Sequence, residues 1–138
     1  MSNFDPYIFF NGNCEEAMKF YERTLGGKLN LMKAKDSPAA GKTPPGTENK
    51  ILHSRLDFDG GVLMASDWMD TKPYPGMGGF SVAVNYSKVE DAKRAYETLS
   101  KGGKVSMPLE KTFWVEAFGM VADRFGTPWM ISGGKASV

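Results

Sequence analysis

Apolar residues along this chain follow two alternating periods. Tyr7-Ile8-Phe9-Phe10 is a short aromatic and β-branched run suited to a strand, broken by Asn11-Gly12-Asn13. Ala17, Phe20, Tyr21 and Leu25 then fall on one face at helical spacing, which predicts a helix of about 13 residues ending at Gly26-Gly27. Asn13, followed three residues later by Glu16, resembles an N-terminal cap with its reciprocal carboxylate. Leu29 to Ala34, Ile51 to Phe58 and Val62 to Ser66 read as further strands, the last two joined by the Asp59-Gly60 turn. The predicted order is βαβββ.

The second half repeats it. Cys14-Glu15-Glu16-Ala17 with Tyr21-Glu22 and Gly26-Gly27 recurs as Val89-Glu90-Asp91-Ala92 with Tyr96-Glu97 and Gly102-Gly103. Strands are predicted over Gly79 to Tyr86, Lys104 to Glu110, Phe118 to Asp123 and Pro128 to Ser132. A helix runs from about Lys88 to Ser100, opened by the capping box Ser87-Lys88-Val89-Glu90. The expectation is one α+β domain over 1–138, with modules at 4–66 and 79–134 joined by a linker at 67–78. Each half is too small to bury a core well alone, which suggests two half-structures around a shared cavity, where function usually sits. Asp36 to Lys50, rich in Pro, Gly and Lys, lies outside the repeat and reads as a flap or a disordered loop. The linker carries Trp68, Tyr74 and Met77, more apolar surface than a solvated connection needs.

Composition narrows the function classes. With 41% hydrophobic residues and 12% aromatics the chain can supply a core. No apolar run approaches the roughly 18 residues of a membrane span, and Met1-Ser2-Asn3-Phe4-Asp5 lacks the regions of a signal peptide, so no membrane partner and a cytoplasmic location are expected. The single cysteine agrees with a reducing compartment. A net charge of +1, with lysines dispersed among acidic residues, argues against a nucleic-acid partner.

The order of elements, the Phe20-Tyr21 pair and the Asp123-Arg124-Phe125-Gly126-Thr127-Pro128-Trp129 turn together resemble the vicinal oxygen chelate superfamily of glyoxalase I, extradiol dioxygenases, and fosfomycin- and bleomycin-resistance proteins. Pro6 to Ala17, His53-Ser54-Arg55-Leu56, Leu63-Met64-Ala65-Ser66-Asp67 and Phe113-Trp114 are similar to its PhnB-like branch, often labelled demethylubiquinone methyltransferase-like. No cofactor-binding signature supports the methyltransferase label, and no cofactor is expected. The resemblance implies two βαβββ modules, each curling a mixed sheet into half of a cup, and a homodimer. It also implies where a divalent metal would bind: on the first and last strand of each module. Those positions fall on Pro6 and Gly79, near Ile131, and at Met64 or Ser66. None offers the imidazole, carboxylate or thiolate that such an ion needs, so no metal is expected at the usual site.

His53 is the only histidine, and on an alternating strand it shares a face with Arg55 and Asp57. That face either meets solvent or lines the cup, and the resemblance favours the cup, where His53 could act as general acid or base. Phe9, Met64, Trp68, Trp114, Phe118, Met120 and Trp129 supply the apolar bulk of a small-molecule site, though any one of them fits a core equally well. Nine methionines suit a permissive cavity. Trp114, beside Glu116 on a loop before a strand, is the foremost pocket candidate; its alternative is a lid packed on the fold. Cys14 reads as an unreactive thiol, lacking a partner for nucleophilic catalysis. Asp57, Asp59, Asp67 and Asp70 match no calcium loop and read as solvated turn residues. The combined expectation is a binding protein for a small, partly aromatic molecule, with Phe9, His53, Arg55, Met64, Trp68, Trp114, Glu116, Phe118, Met120 and Trp129 around it. The alternative is a lyase, isomerase or dioxygenase-type enzyme using His53 or a non-standard metal site.

Overall fold

The two periods of the sequence are realised as two copies of one βαβββ arrangement. A computed structural model describes residues 2–136 and divides into two units after Gly76. The first contains β1 (Tyr7–Phe10), α1 (Cys14–Leu25), β2 (Lys28–Lys33), β3 (Ile51–Phe58) and β4 (Gly61–Asp67), with a 3-10 turn at Ala34–Asp36. The second contains β5 (Val82–Tyr86), α2 (Val89–Ser100), β6 (Lys104–Glu110), β7 (Val115–Ala122) and β8 (Pro128–Ala136). Each forms a four-stranded mixed sheet, ordered β1-β4-β3-β2 and β5-β8-β7-β6, in which the first strand runs parallel to the last. The parallel pair is possible because a helix crosses between β1 and β2, and again between β5 and β6.

Each helix covers one face of its own sheet. In the first unit the alternating set Ile8, Phe10, Leu56, Leu63 and Ala65 is buried with Ala17, Met18, Phe20 and Tyr21 of α1. In the second, Trp129, Ile131, Val121 and Ala117 are buried with Ala92, Ala95 and Leu99 of α2. Strand alternation turns the intervening residues to the opposite face of each sheet.

The repeated glycines have a packing role. A Cβ on Gly27 would lie 2.1 Å from the carbonyl oxygen of Asp57, and one on Gly103 would lie 2.2 Å from that of Ala122. Both glycines let the chain leave its helix against the neighbouring backbone, and Gly27 also adopts φ +96°.

Several local expectations need correction. Neither Asn13 nor Ser87 supplies a side-chain cap; the N-cap positions Asn13 and Lys88 make no side-chain cap hydrogen bond. Instead Asp67 reaches the start of α1 from β4. Its Oδ1 accepts from the Cys14 N–H at 2.9 Å and its Oδ2 from the Ile51 N–H at 2.8 Å, so this buried carboxylate ties helix to strand and is no solvated turn residue. The 36–50 segment is internally bonded: Ala34 N–H donates to Lys50 O and Lys35 N–H to Glu48 O across its stem, and Ser37 and Thr47 are buried within it. Most of the expected linker belongs to the first unit, where the Tyr74 hydroxyl donates to Phe9 O at 2.7 Å.

Candidate functional site

Parity on the strands decides which side chains can meet a ligand. In the first unit the face opposite α1 presents Tyr7 and Phe9 from β1, Met64 and Ser66 from β4, and His53, Arg55 and Asp57 from β3. Phe9, His53, Arg55 and Met64 are therefore brought to one face, and Trp68 joins them by meeting Phe9 edge-on at 5.6 Å. Tyr7 and Phe9 remain 40% and 47% exposed, unusual for strand aromatics. His53 is engaged by Tyr7, which had not been singled out: the hydroxyl lies 3.1 Å from Nδ1, with the rings stacked at 5.7 Å. Alternation from Phe9 was the signal that could have found Tyr7. Arg55 Nε donates to both carboxylate oxygens of Asp57 at 3.0 Å, and this hydrogen bond and charge raise the guanidinium pKa further.

In the second unit the corresponding face carries Ala83 and Asn85 from β5, Met130 and Ser132 from β8, and Phe118 and Met120 from β7. By register, Phe118 occupies the place of His53 in the first copy and Met120 that of Arg55. A cavity of about 200 Å³ opens here, lined by Ala83, Asn85, Trp114, Phe118, Met130 and Ser132 among others. Trp114 and Phe118 meet edge to face at 5.3 Å, and Ser132 Oγ donates to Asn85 Oδ1. Asn85 and Ser132 had escaped notice as isolated polar residues in apolar strands. Met120 shares the face, paired with Met130 and Met107.

Glu116 and Trp129 lie elsewhere. The strand β7 begins at Val115, and an irregularity between Val115 and Ala117 turns Glu116 towards α2. There its Oε1 accepts from the Lys135 N–H, and it borders a groove with Val89 and Lys93. Trp129 is 1% exposed on the α2 side of β8, its indole N–H donating to Asp123 Oδ2 at 2.8 Å. Asp123 Oδ1 also accepts from the Phe125 and Thr127 N–H groups, so this tryptophan locks the turn before β8 and belongs to the core.

The residues do not fit the superfamily's metal site. Ile131 is fully buried on the α2 side, and its neighbours on the open face are Met130 and Ser132. Among the described residues no three His, Cys, Asp or Glu side chains converge. Cys14 is buried against Ser54 Oγ at 3.6 Å, and burial pushes its thiol up to about 12.

Two four-stranded βαβββ units, each with one helix-covered face and one open face, define a class of proteins built by tandem duplication. The chain belongs to the Glyoxalase/Bleomycin resistance protein/Dioxygenase superfamily, whose family profile matches residues 3–131. It is 35% identical over 136 residues to protein YjdN of Escherichia coli K12, with 92% of each chain covered. Protein PA1353 from Pseudomonas aeruginosa, a crystal structure, superposes with a TM-score of 0.89 at 41% identity, covering 97% of this chain and 98% of that one. A Bacillus cereus PhnB protein, described as a putative 3-demethylubiquinone-9 3-methyltransferase, shares the fold at a TM-score of 0.77 and 20% identity, covering 96% and 100%. No helix among the described residues is long and apolar enough to cross a membrane.

Proposed function

We propose that the protein binds a small, partly aromatic molecule on the open face of its second unit, without a metal ion. The observation that carries this reading is the cavity of about 200 Å³ whose wall includes Trp114 and Phe118. A ligand ring packed against this aromatic pair gains contact area, worth on the order of 1 kcal/mol beyond burial for a well-oriented aromatic contact. Trp114 is half-buried in the free protein, so its loss removes ligand contact more than core packing. In a fragment screen of flat aromatic compounds, Trp114→Ala is expected to weaken binding about tenfold or more. The melting temperature should move little. A severe drop in melting temperature with affinity unchanged would assign Trp114 to the core. Elemental analysis of the dialysed protein should find no stoichiometric zinc, nickel, iron or manganese, because among the described residues no three His, Cys, Asp or Glu side chains converge to hold such an ion.

The Tyr7–His53 pair favours a second reading, an enzyme of the lyase, isomerase or dioxygenase type. With Nδ1 held by the tyrosine hydroxyl, Nε2 is left to exchange a proton with a substrate. Turnover abolished by His53→Gln and preserved under chelation would support it; turnover indifferent to His53→Gln would end it.

A further inference from the structure

We infer that the cavity of the second unit selects an uncharged, single-ring ligand bearing an amide-like group, which docks on the Asn85–Ser132 pair. The inference rests on the aromatic-binding reading above and goes beyond it to the chemistry of the ligand. Size comes first. A cavity of about 150 Å³ accommodates benzene, so about 200 Å³ here has room for one ring with a small substituent, on a face that opens to solvent.

Charge comes second. None of the residues lining the cavity is ionisable, and its walls are alanine, valine, methionine and aromatic side chains beside one asparagine and one serine. An ionised ligand would meet no counter-charge from the lining, whereas a neutral polar group needs only matching hydrogen bonds.

Polarity comes third. The Asn85 carbonyl oxygen can only accept, so the Ser132 hydroxyl must spend its proton on it. That bond fixes what is left: Asn85 Nδ2 presents two N–H donors, and Ser132 Oγ presents lone pairs. A ligand complementary to the pair therefore offers one acceptor to Asn85 and one donor to Ser132, the arrangement of a primary or secondary carboxamide. Hydrophobic contact with Trp114 and Phe118 then places the ring. The first unit cannot duplicate this site, because Phe9 and Ser66 stand where Asn85 and Ser132 stand in the second.

The test titrates the full chain with benzamide, benzoate, benzylammonium and toluene, following the Trp114 indole N–H signal, assigned by its disappearance in Trp114→Phe. Benzamide is expected to bind about tenfold more tightly than each of the others, the equivalent of one or two good neutral hydrogen bonds. Asn85→Leu should reduce benzamide to the level of toluene while toluene changes by less than about twofold. Ser132→Ala should lower benzamide in the same direction, and it carries the comparison should the leucine variant fail to fold. Benzoate or benzylammonium binding as tightly as benzamide, or a benzamide preference that survives both variants, overturns the amide assignment and leaves an aromatic site standing. Failure of all four compounds to move the Trp114 signal overturns the amide assignment and the aromatic site together.

Discussion

Asp67 satisfies the first N–H of α1 and the first N–H of β3 with its two oxygens, so one carboxylate joins three elements. Asp67→Ala would leave both donors buried and unpaired, at a cost of about 2–4 kcal/mol. Denaturant unfolding should show that loss, and a change within error would mean that water replaces the carboxylate. Cys14 makes a pH-dependent contribution of opposite character. Its thiol ordinarily titrates near 9.0 and is pushed up to about 12 by burial, with the negative charges of Asp67 and Glu15 adding to the shift. Below 9.0 both folded and unfolded chains keep the proton. Above it only the unfolded chain releases it, so stability falls as the pH rises from about 9 towards 12. Cys14→Ala should flatten that alkaline decline in melts between pH 8 and 11, and a parallel decline in both proteins would show that other groups cause it. Thiol reagents should leave Cys14 untouched until the protein unfolds.

The same βαβββ plan tolerates different helix-to-sheet contacts in its two copies. Where Asp67 stands opposite α1, register places Gly133 opposite α2, and a Cβ there would lie 2.5 Å from the Ala92 Cβ and 3.0 Å from Lys88 O. The first helix is tied down by a carboxylate; the second approaches until backbone meets backbone. Gly133→Ala should consequently force α2 outward and destabilise by about 1–3 kcal/mol, the usual range for overpacking. A melting temperature equal to the parent's would show that β8 yields instead. The helices themselves were legible in the spacing of Ala17, Phe20 and Tyr21 and of Ala92, Ala95 and Leu99, because an amphipathic stripe follows from local geometry alone. Their caps were not. A side chain from β4 replaces the local Asn13 cap, and no local pattern announces a partner fifty residues away.

For the molecule as a whole, each sheet keeps two edge strands: β1 and β2 in the first unit, β5 and β6 in the second. The edge strand β6 leaves Val105 and Met107 46% and 39% exposed, and Phe80 and Phe113 add to the uncovered apolar surface. Exposed edges and apolar patches invite association, and a homodimer is the expected assembly. Light scattering across micromolar concentrations should give about twice the mass of one chain; a monomer throughout would remove the expectation.

Sequence alone was enough for the duplication, the element order and the family, since periodicity and spacing are local properties that survive in a one-dimensional pattern. It was also enough to place His53, Arg55 and Asp57 on one strand face, because alternation is strict wherever no bulge intervenes; the register between strands then added Phe9 and Met64 to that face. Only the tertiary structure could separate Trp114 from Trp129. Both are tryptophans near a strand boundary, yet one borders a cavity and the other sits under α2 with its N–H bound to Asp123. Only the tertiary structure could turn Glu116 away through the irregularity in β7, or show that Asn85 and Ser132 meet across two strands. The reason is physical: a side chain's chemistry is fixed by its own atoms, but its use depends on which distant residues pack against it.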